Sequence, residues 1–457
     1  MYYCKLNFIK HTIMDYPKTP VDRWVVEPIN KFISQSTTSG IVLFVAAVVA
    51  IFFANSPWAE WYQNIWQNKI GISFNDELGL NLSLHHWIND GLMAIFFFVV
   101  GLELKRELTN GELASPKKAM LPIFAAIGGM VVPALFYAFF NAGTDAAHGW
   151  GIPMATDIAF ALGVLYILGD KVPTSLKVFL TALAIVDDLG AVVVIALFYT
   201  SQISMLHLGI GLALFGVLLL ANRLGVKNIL FYAIIGIGGI WVAFLLSGVH
   251  ATIAAVLAAF AIPTNAKVDE NYFSKKMTAL RDKFVSIDPE NKQEKLTDVQ
   301  ISTIEDMATL AKDAVPPSQR LEHGLHGFVS FIVMPIFALA NAAIPISFDS
   351  GISNVTLGVA LGLFLGKVIG IAGFTVLLIK LKVTSMPKGM TFINLLGIAF
   401  LAAIGFTMSL FVTELAFDVQ LHPEYPGQAK LGILIASLLG GVIGYFILKL
   451  SAKKRAA

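Results

Sequence analysis

Cysteine is nearly missing from this chain. Cys4 is the single one, so no internal disulfide can form and the redox compartment stays open. Charge is scarce as well: 14% of the residues are Asp, Glu, Lys or Arg, against about 25% in soluble domains. With 56% hydrophobic residues, that scarcity excludes an ordinary soluble domain and marks a membrane protein. The net charge is only +2 and no basic tract is present, which argues against a nucleic-acid partner. No Walker sequence offers an ATP drive, and His85 and His86 lack the partner spacing of a metal site. No charged run resembles a voltage-sensor helix. A cleavable leader is not expected, because the first apolar run starts near Gly40.

What is present is a series of apolar runs long enough to cross a bilayer, about twelve in all. They fall near 40–56, 84–104, 119–140, 151–168, 175–199, 204–222, 229–246, 248–262, 324–343, 355–379, 391–417 and 430–449. The seventh and eighth nearly touch at Gly248. Lysine and arginine gather in alternate connections. Lys105, Arg106, Lys117 and Lys118 follow the second span, Lys171 and Lys177 the fourth, Arg223 and Lys227 the sixth. Lys380, Lys382 and Lys388 follow the tenth, and Lys449, Lys453, Lys454 and Arg455 close the chain. Lys69 and Lys430 are the exceptions. This alternation predicts an even number of spans with both termini cytoplasmic.

The expected fold is therefore an all-α polytopic membrane protein. It divides into a cytoplasmic segment over 1–38, a first membrane part over 39–263 and a cytoplasmic insertion over 264–321. A second membrane part covers 322–450, and 451–457 form a cytoplasmic tail. Val21–Ile33 has the pattern of an amphipathic surface helix. Lys69–Leu84 alternates around Asn75, Asp76 and Glu77, as an external β-hairpin near 69–84 would; its exposed edge suits a dimer contact. The charged stretch 265–319 predicts a partly helical or disordered segment, too poor in apolar residues for a domain.

Ionisable residues within spans are few, and each is a functional candidate. Asp157 follows Gly151 and Pro153, which weaken the fourth span just before it. Thr156 is placed to satisfy a freed backbone group. The stretch reads as an interrupted helix with a carboxylate at the break, or as a plain helix start capped by Asp near the interface. Asp187 and Asp188 lie midway along the fifth span. Adjacent helical residues point about 100° apart, so the two cannot face one point equally. Small neighbours, Ala184 and Ala191, allow a close helix approach. Two close carboxylates titrate as a coupled pair, which suits a site trading protons for a cation. The alternative is one carboxylate held neutral by a hydrogen bond.

Lys367, deep in the tenth span, reads as a counter-charge to one of the aspartates or as a proton carrier; snorkelling is the plainer alternative. Gly405, Phe406 and Thr407 mark a candidate break in the eleventh span. The fourth and eleventh spans are each the middle of a three-span group, and the groups enter from opposite sides. Paired interruptions of that kind point to inverted-topology repeats around a transporter's ion site. His250, after Gly248, is either a group titrating near neutral pH or a hydrogen-bonded structural histidine. A second cluster brackets one membrane edge: Glu103, Lys105, Arg106 and Glu107, with Glu322, His323 and His326. Glu103 with Glu107 and Glu322 with His326 share helix faces. The cluster is a pH-sensing candidate or an ordinary set of solvated helix ends.

These words, in order, resemble the NhaA-type Na+/H+ antiporters of bacterial inner membranes. The matching stretches include "WINDGLMAIFFFVVGLELKREL", "AAIGGMVVPAL", "ATDIAFALGVL", "LTALAIVDDLGA", "SGVHAT", "RLEHGLH", "LGLFLGKVIGI" and "AIGFTMSLF". They cover nearly the whole chain outside the termini and 265–319. The resemblance implies electrogenic exchange, with Na+ or Li+ leaving and more protons than cations entering, no cofactor and no enzymatic activity. It implies Asp187 and Asp188 as the Na+-binding and proton-carrying pair, Asp188 being the principal ligand. Thr156 and Asp157 would sit at the crossing of broken helices, with Lys367 as intramembrane partner. It places Glu103, Arg106, Glu322, His323 and His326 in a pH-response region, beside Glu107, adds His250 to that response, and gives Asp90 a supporting role. The insertion departs from the family pattern and lengthens the connection directly before Glu322. A different secondary transporter on a related inverted-repeat fold is the alternative; one for organic anions needs a basic cavity, and Lys367 alone offers it.

Overall fold

The computed structural model describes residues 36–74, 78–200, 203–288, 295–345, 353–387, 389–418 and 421–456. Val21–Ile33 and the residues between the two strands, 75–77, lie outside that set. Among the described residues, nine helices are long and apolar enough to cross a membrane, or eleven if each of two bent pairs is one span. Ala251–Ala261 is a shorter apolar helix, separated from Val242–Ser247 by Gly248 at φ +83°. That left-handed backbone suits glycine alone.

The two bends have different causes. Thr38–Ala54 and Ala59–Gln67 meet at 116° across Pro57, which cannot continue a helical ladder. The second, amphipathic helix is pinned where Tyr62 donates to the Leu339 carbonyl at 2.7 Å. Phe392–Ala402 and Phe406–Ala416 meet at 45° across Ala403–Gly405. The break thus precedes Phe406 and Thr407, which already belong to the following helix. Gly151 and Pro153 precede the break expected at Asp157. Those residues lie in a 3₁₀ stretch, Asp145–Met154, and the chain is extended only at 155–157. Asp157 caps the next helix, Ile158–Ile167, and so fixes where it starts.

The two breaks hold one another. The Asp157 amide donates to the Ile404 carbonyl at 2.7 Å, and Ser409 donates to Ile152 at 2.8 Å. Backbone groups freed by each interruption thus find partners in the other, as an apolar interior requires. Gly405 permits this contact: a Cβ there would lie 3.1 Å from the Ala155 carbonyl oxygen.

Glycine also sets the crossing of Pro116–Asn141 with Asn354–Lys380. At Gly128 and Gly370 each backbone carbonyl occupies the place of the other's absent side chain. Backbones come this close only over small residues. A single π-helical turn, Gly362–Gly366, directly precedes Lys367, and the stem of Lys367 passes Gly129, where a Cβ would lie 3.7 Å from its Cδ and 3.0 Å from Ile371. Gly370→Leu is therefore expected to separate these helices. The thermal midpoint of the purified protein in detergent should fall, at an overpacking cost of about 3 kcal/mol or more; an unchanged midpoint would show that the crossing does not depend on this contact.

Lys69–Phe74 and Leu78–Ser83 pair antiparallel, Lys69 opposite Ser83 and Phe74 opposite Leu78. Trp87 ties the pair to the bundle by donating to the Ile70 carbonyl at 3.0 Å. The charged stretch 265–319 forms two helices packed on each other, Glu270–Ile287 and Asp298–Ala314. Asp269 caps the first, and a Thr297–Gln300 capping box starts the second. Its few apolar residues include the buried Leu280 and Leu310. Its two ends meet at Lys267 and Asp313, 3.0 Å apart as an ion pair.

Candidate functional site

The crossing of the two breaks gathers most of the buried charge. Asp157, Asp187, Asp188, Lys367, Thr156 and Thr407 are each at most 1% exposed, so no solvent compensates them and each charge must be met by protein or by cargo.

Asp157 accepts at both ends. Its Oδ1 takes the Phe160 amide at 3.0 Å and so caps Ile158–Ile167. Its Oδ2 takes the Thr407 amide at 3.1 Å, together with the Thr407 hydroxyl. The first amides of two helices thus converge on one carboxylate, whose negative charge their positive ends favour. Both sequence readings of Asp157 apply at once: it caps a helix start, and that start lies buried at a break.

The adjacent pair divides. Lys367 bonds Asp187 Oδ2 and also donates to Thr156 Oγ1 at 2.8 Å. Thr156 Oγ1 lies 2.7 Å from Asp187 Oδ2 and 3.0 Å from the Ala402 carbonyl. A hydroxyl carries one proton, so Thr156 serves the carboxylate or the helix end, not both fully. Asp188 has no protein hydrogen-bond partner on either oxygen, and Asp187 Oδ1 has none. The 100° between neighbours explains the division, since one helix position meets Lys367 and the next cannot.

With Asp157 met by two helix ends and Asp187 by Lys367, one ionised carboxylate remains uncompensated. One proton or one monovalent cation cancels it. Asp187, Asp188 and the Thr156 hydroxyl offer oxygen ligands, with the Ala402 carbonyl beside them. Among the described residues, no group of three or more His, Cys, Asp or Glu could hold a metal, so a cation here would draw on hydroxyl and carbonyl oxygens as well.

The second predicted cluster also assembles. Arg106 bonds Glu322 and reaches Glu107 at 3.2 Å; His326 lies 3.8 Å from Glu103, and the charge of His323 acts on Glu322. Glu322 is only 5% exposed, which departs from ordinary solvated helix ends. Lys105 donates to the Phe260 and Ile262 carbonyls, closing the last turn of Ala251–Ala261. His250 stands apart from this group. It is hydrogen bonded to the Tyr199 carbonyl at 3.1 Å and interacts electrostatically with Asp90, near the opposite end of Leu84–Asn110.

Four residues have contacts that the sequence did not assign to them. Thr407 belongs to the expected break, although "GFT" before an apolar run also has the form of a helix start, and the structure places it in the first turn of Phe406–Ala416. Ala402 contributes only a carbonyl, which no side-chain pattern reveals. Glu414 and Lys430 form a largely buried ion pair whose signal was a lysine out of step with the alternation.

Buried carboxylates and one lysine at the crossing of two broken helices, inside an apolar bundle, define a multi-pass membrane protein built around an ionic centre. The family described as Na+/H+ antiporter 1 matches the chain over residues 30–448. The Na(+)/H(+) antiporter NhaA of Wolinella succinogenes is 48% identical over 426 residues, covering 92% of this chain and 93% of that one. Its counterpart from Sulfurimonas denitrificans is 47% identical, covering 94% and 96%; that of Oleidesulfovibrio alaskensis is 46% identical, covering 97% and 98%. The chain belongs to the Na+/H+ antiporter 1 family. The relatives are transporters and not enzymes.

Proposed function

We propose that this protein exchanges Na+ or Li+ for protons, using Asp187 and Asp188 as a shared cation- and proton-binding pair. The observation that carries the reading is the Asp188 carboxylate, wholly buried and without a protein partner, beside an Asp187 already neutralised by Lys367. Its relatives' printed activity supports the choice of ions. One uncompensated charge accepts either cargo, so proton and cation compete. Competition at a site open to one side at a time gives exchange without ATP. More protons than cations move per cycle, which makes the exchange electrogenic. Sodium leaves the cell when the site deprotonates inside, and protons from outside displace it.

The topology that serves this mechanism has twelve spans in inverted repeats, the fourth and eleventh discontinuous. The termini, the 264–321 insertion and the Glu103–Glu322 cluster face the cytoplasm of a bacterial inner membrane. The strand pair lies outside and contributes a homodimer contact. The domain division is that read from the sequence: 1–38, 39–263, 264–321, 322–450 and 451–457. Glu103, Arg106, Glu107, Glu322, His323 and His326 supply the pH response, with His250 acting on it from the outer half and Asp90 in a supporting role.

The direct test is a pH-resolved exchange assay in proteoliposomes with Na+, Li+, K+ and organic anions. Movement driven by Na+ and Li+ alone is expected; transport of an organic anion would favour the alternative solute. The insertion allows a second test. Because Lys267 and Asp313 meet, residues 268–312 can be replaced by a short Gly-Ser linker without stretching the chain. Maximal exchange should persist, while the pH of half-activation moves by about half a unit or more, since charged helices no longer border the histidines. An unmoved profile would remove the insertion from the pH response.

A further inference from the structure

The end of the bundle opposite Glu103 and Glu322 holds a second ionic cluster, spread over four elements. Glu414 lies near the end of Phe406–Ala416. One of its oxygens takes Lys430 Nζ at 2.7 Å; the other lies 3.7 Å from His85 Nε2. The Glu414 and Lys430 side chains are only 12% and 13% exposed. Asn341 sets the imidazole. Its Nδ2 donates to Asn89 Oδ1 and the Phe337 carbonyl at 3.0 and 3.1 Å, which leaves its Oδ1 to accept from His85 Nε2 at 3.0 Å. The second ring nitrogen, Nδ1, faces Asn89 Nδ2 at 3.4 Å, so it takes a proton only as that weak contact gives way.

Phe411 lies one turn inward from Glu414 on the same half-helix. Its ring centroid is 5.5 Å from that of Phe97 and 6.2 Å from that of Phe337, and all three rings are wholly buried. One turn further inward, Thr407 holds Asp157. An aromatic layer therefore lies between the outer cluster and the carboxylate centre, and one of its members rides on the helix that Glu414 anchors.

We infer that Glu414 is a positioning residue: by binding Lys430 and His85 it clamps the outer half-helix, and with it Phe411, in the position that closes the site to the external face. The inference rests on the reading of the carboxylate centre as the transport site. Access from outside requires Phe411 to leave the layer. The half-helix cannot swing without parting Glu414 from Lys430 in poorly solvated surroundings, where the separation is costly. His85 makes the clamp sensitive to external acid, because a protonated ring carries a charge that the second Glu414 oxygen attracts. The other charged groups acting here are Lys430, which opposes that protonation, and His86 and Asp90 on the same helix. Glu60 on the neighbouring helix, Ala59–Gln67, is exposed, and Asn341 is uncharged.

The test uses the full chain in proteoliposomes, with Na+ varied at the external face. Glu414→Gln with Lys430→Met removes both charges and strands neither. A looser clamp populates the outward-open state, which raises apparent affinity from that side. The apparent KM for external Na+ should fall about threefold or more, the maximal rate should stay within about twofold, and the external pH dependence between about 5 and 7 should flatten. The exchanged pair, Glu414→Lys with Lys430→Glu, should restore the KM. An unchanged KM and pH profile, or an exchanged pair that behaves like the neutral one, would overturn the inference. A second readout needs no transport. Met408→Cys, in a Cys4→Ser background, should react faster with a membrane-impermeant thiol reagent once the clamp is neutralised; equal rates would count against it. Loss of exchange in Asp188→Asn with an unmoved KM in the neutral pair would defeat the clamp alone. Intact exchange in Asp188→Asn would defeat the transport-site reading instead.

Discussion

Asp188→Asn is expected to abolish Na+-dependent proton movement, with exchange falling about 100-fold or more, equivalent to roughly 2.7 kcal/mol. The carboxamide has the shape of the carboxylate but neither its charge nor its exchangeable proton. Asp188 has no protein partner on either oxygen, so the substitution breaks no hydrogen bond and should leave folding intact. That separates it from its neighbour. Asp187→Asn also removes the counter-charge of Lys367 and disturbs Thr156. Fluorescence of a pH probe inside Na+-loaded proteoliposomes reads the effect, with equal reconstitution as the control. Full exchange by Asp188→Asn would sink the assignment of that carboxylate.

Lys367→Met is expected to cost stability on the order of 3–5 kcal/mol, the range for stranding one member of a buried ion pair. Both side chains are 0% exposed, so Asp187 would be left either as a charge that no solvent compensates or with a proton taken up at the cost of its hydrogen bonds. Asp187→Asn with Lys367→Met removes both charges and should recover most of the loss, because a neutral pair carries little desolvation cost. Thermal unfolding in detergent distinguishes these outcomes. A single variant as stable as the double one would mean that Asp187 and Lys367 are not energetically coupled.

The buried candidates were legible because charge within apolar spans is rare, and each instance stands out against its neighbours. Asp157, Asp187, Asp188 and Lys367 needed no structure to be noticed. Their pairing did need one. Which carboxylate meets Lys367 depends on where Asn354–Lys380 crosses Pro116–Asn141, and that is set by the contact of Gly128 with Gly370. Glycines are common in membrane helices, so the sequence does not single out the two that touch. The breaks were visible as weak spots, but the one in the eleventh span lies before Phe406 and Thr407 rather than across them. Weakness in a helix spreads over several residues, whereas the end is fixed by the capping contacts of Asp157 and Thr407. Glu414 and Lys430 escaped because each lies near a span end, where an isolated charge is ordinary.

What the sequence determined by itself is the class of protein and the inventory of its rare charges. Hydropathy, the alternation of Lys and Arg, and ionisable residues in apolar runs are local or periodic properties, and they survive without coordinates. The tertiary structure decided the partners: Lys367 with Asp187, Asp157 with two helix ends, Asp188 with no protein group, and Glu414 with Lys430 and His85. These contacts join residues up to 329 positions apart (His85 to Glu414). A buried charge is stabilised or left free by whatever crosses it in space, and one helical step of about 100° is enough to separate a paired carboxylate from an unpaired one.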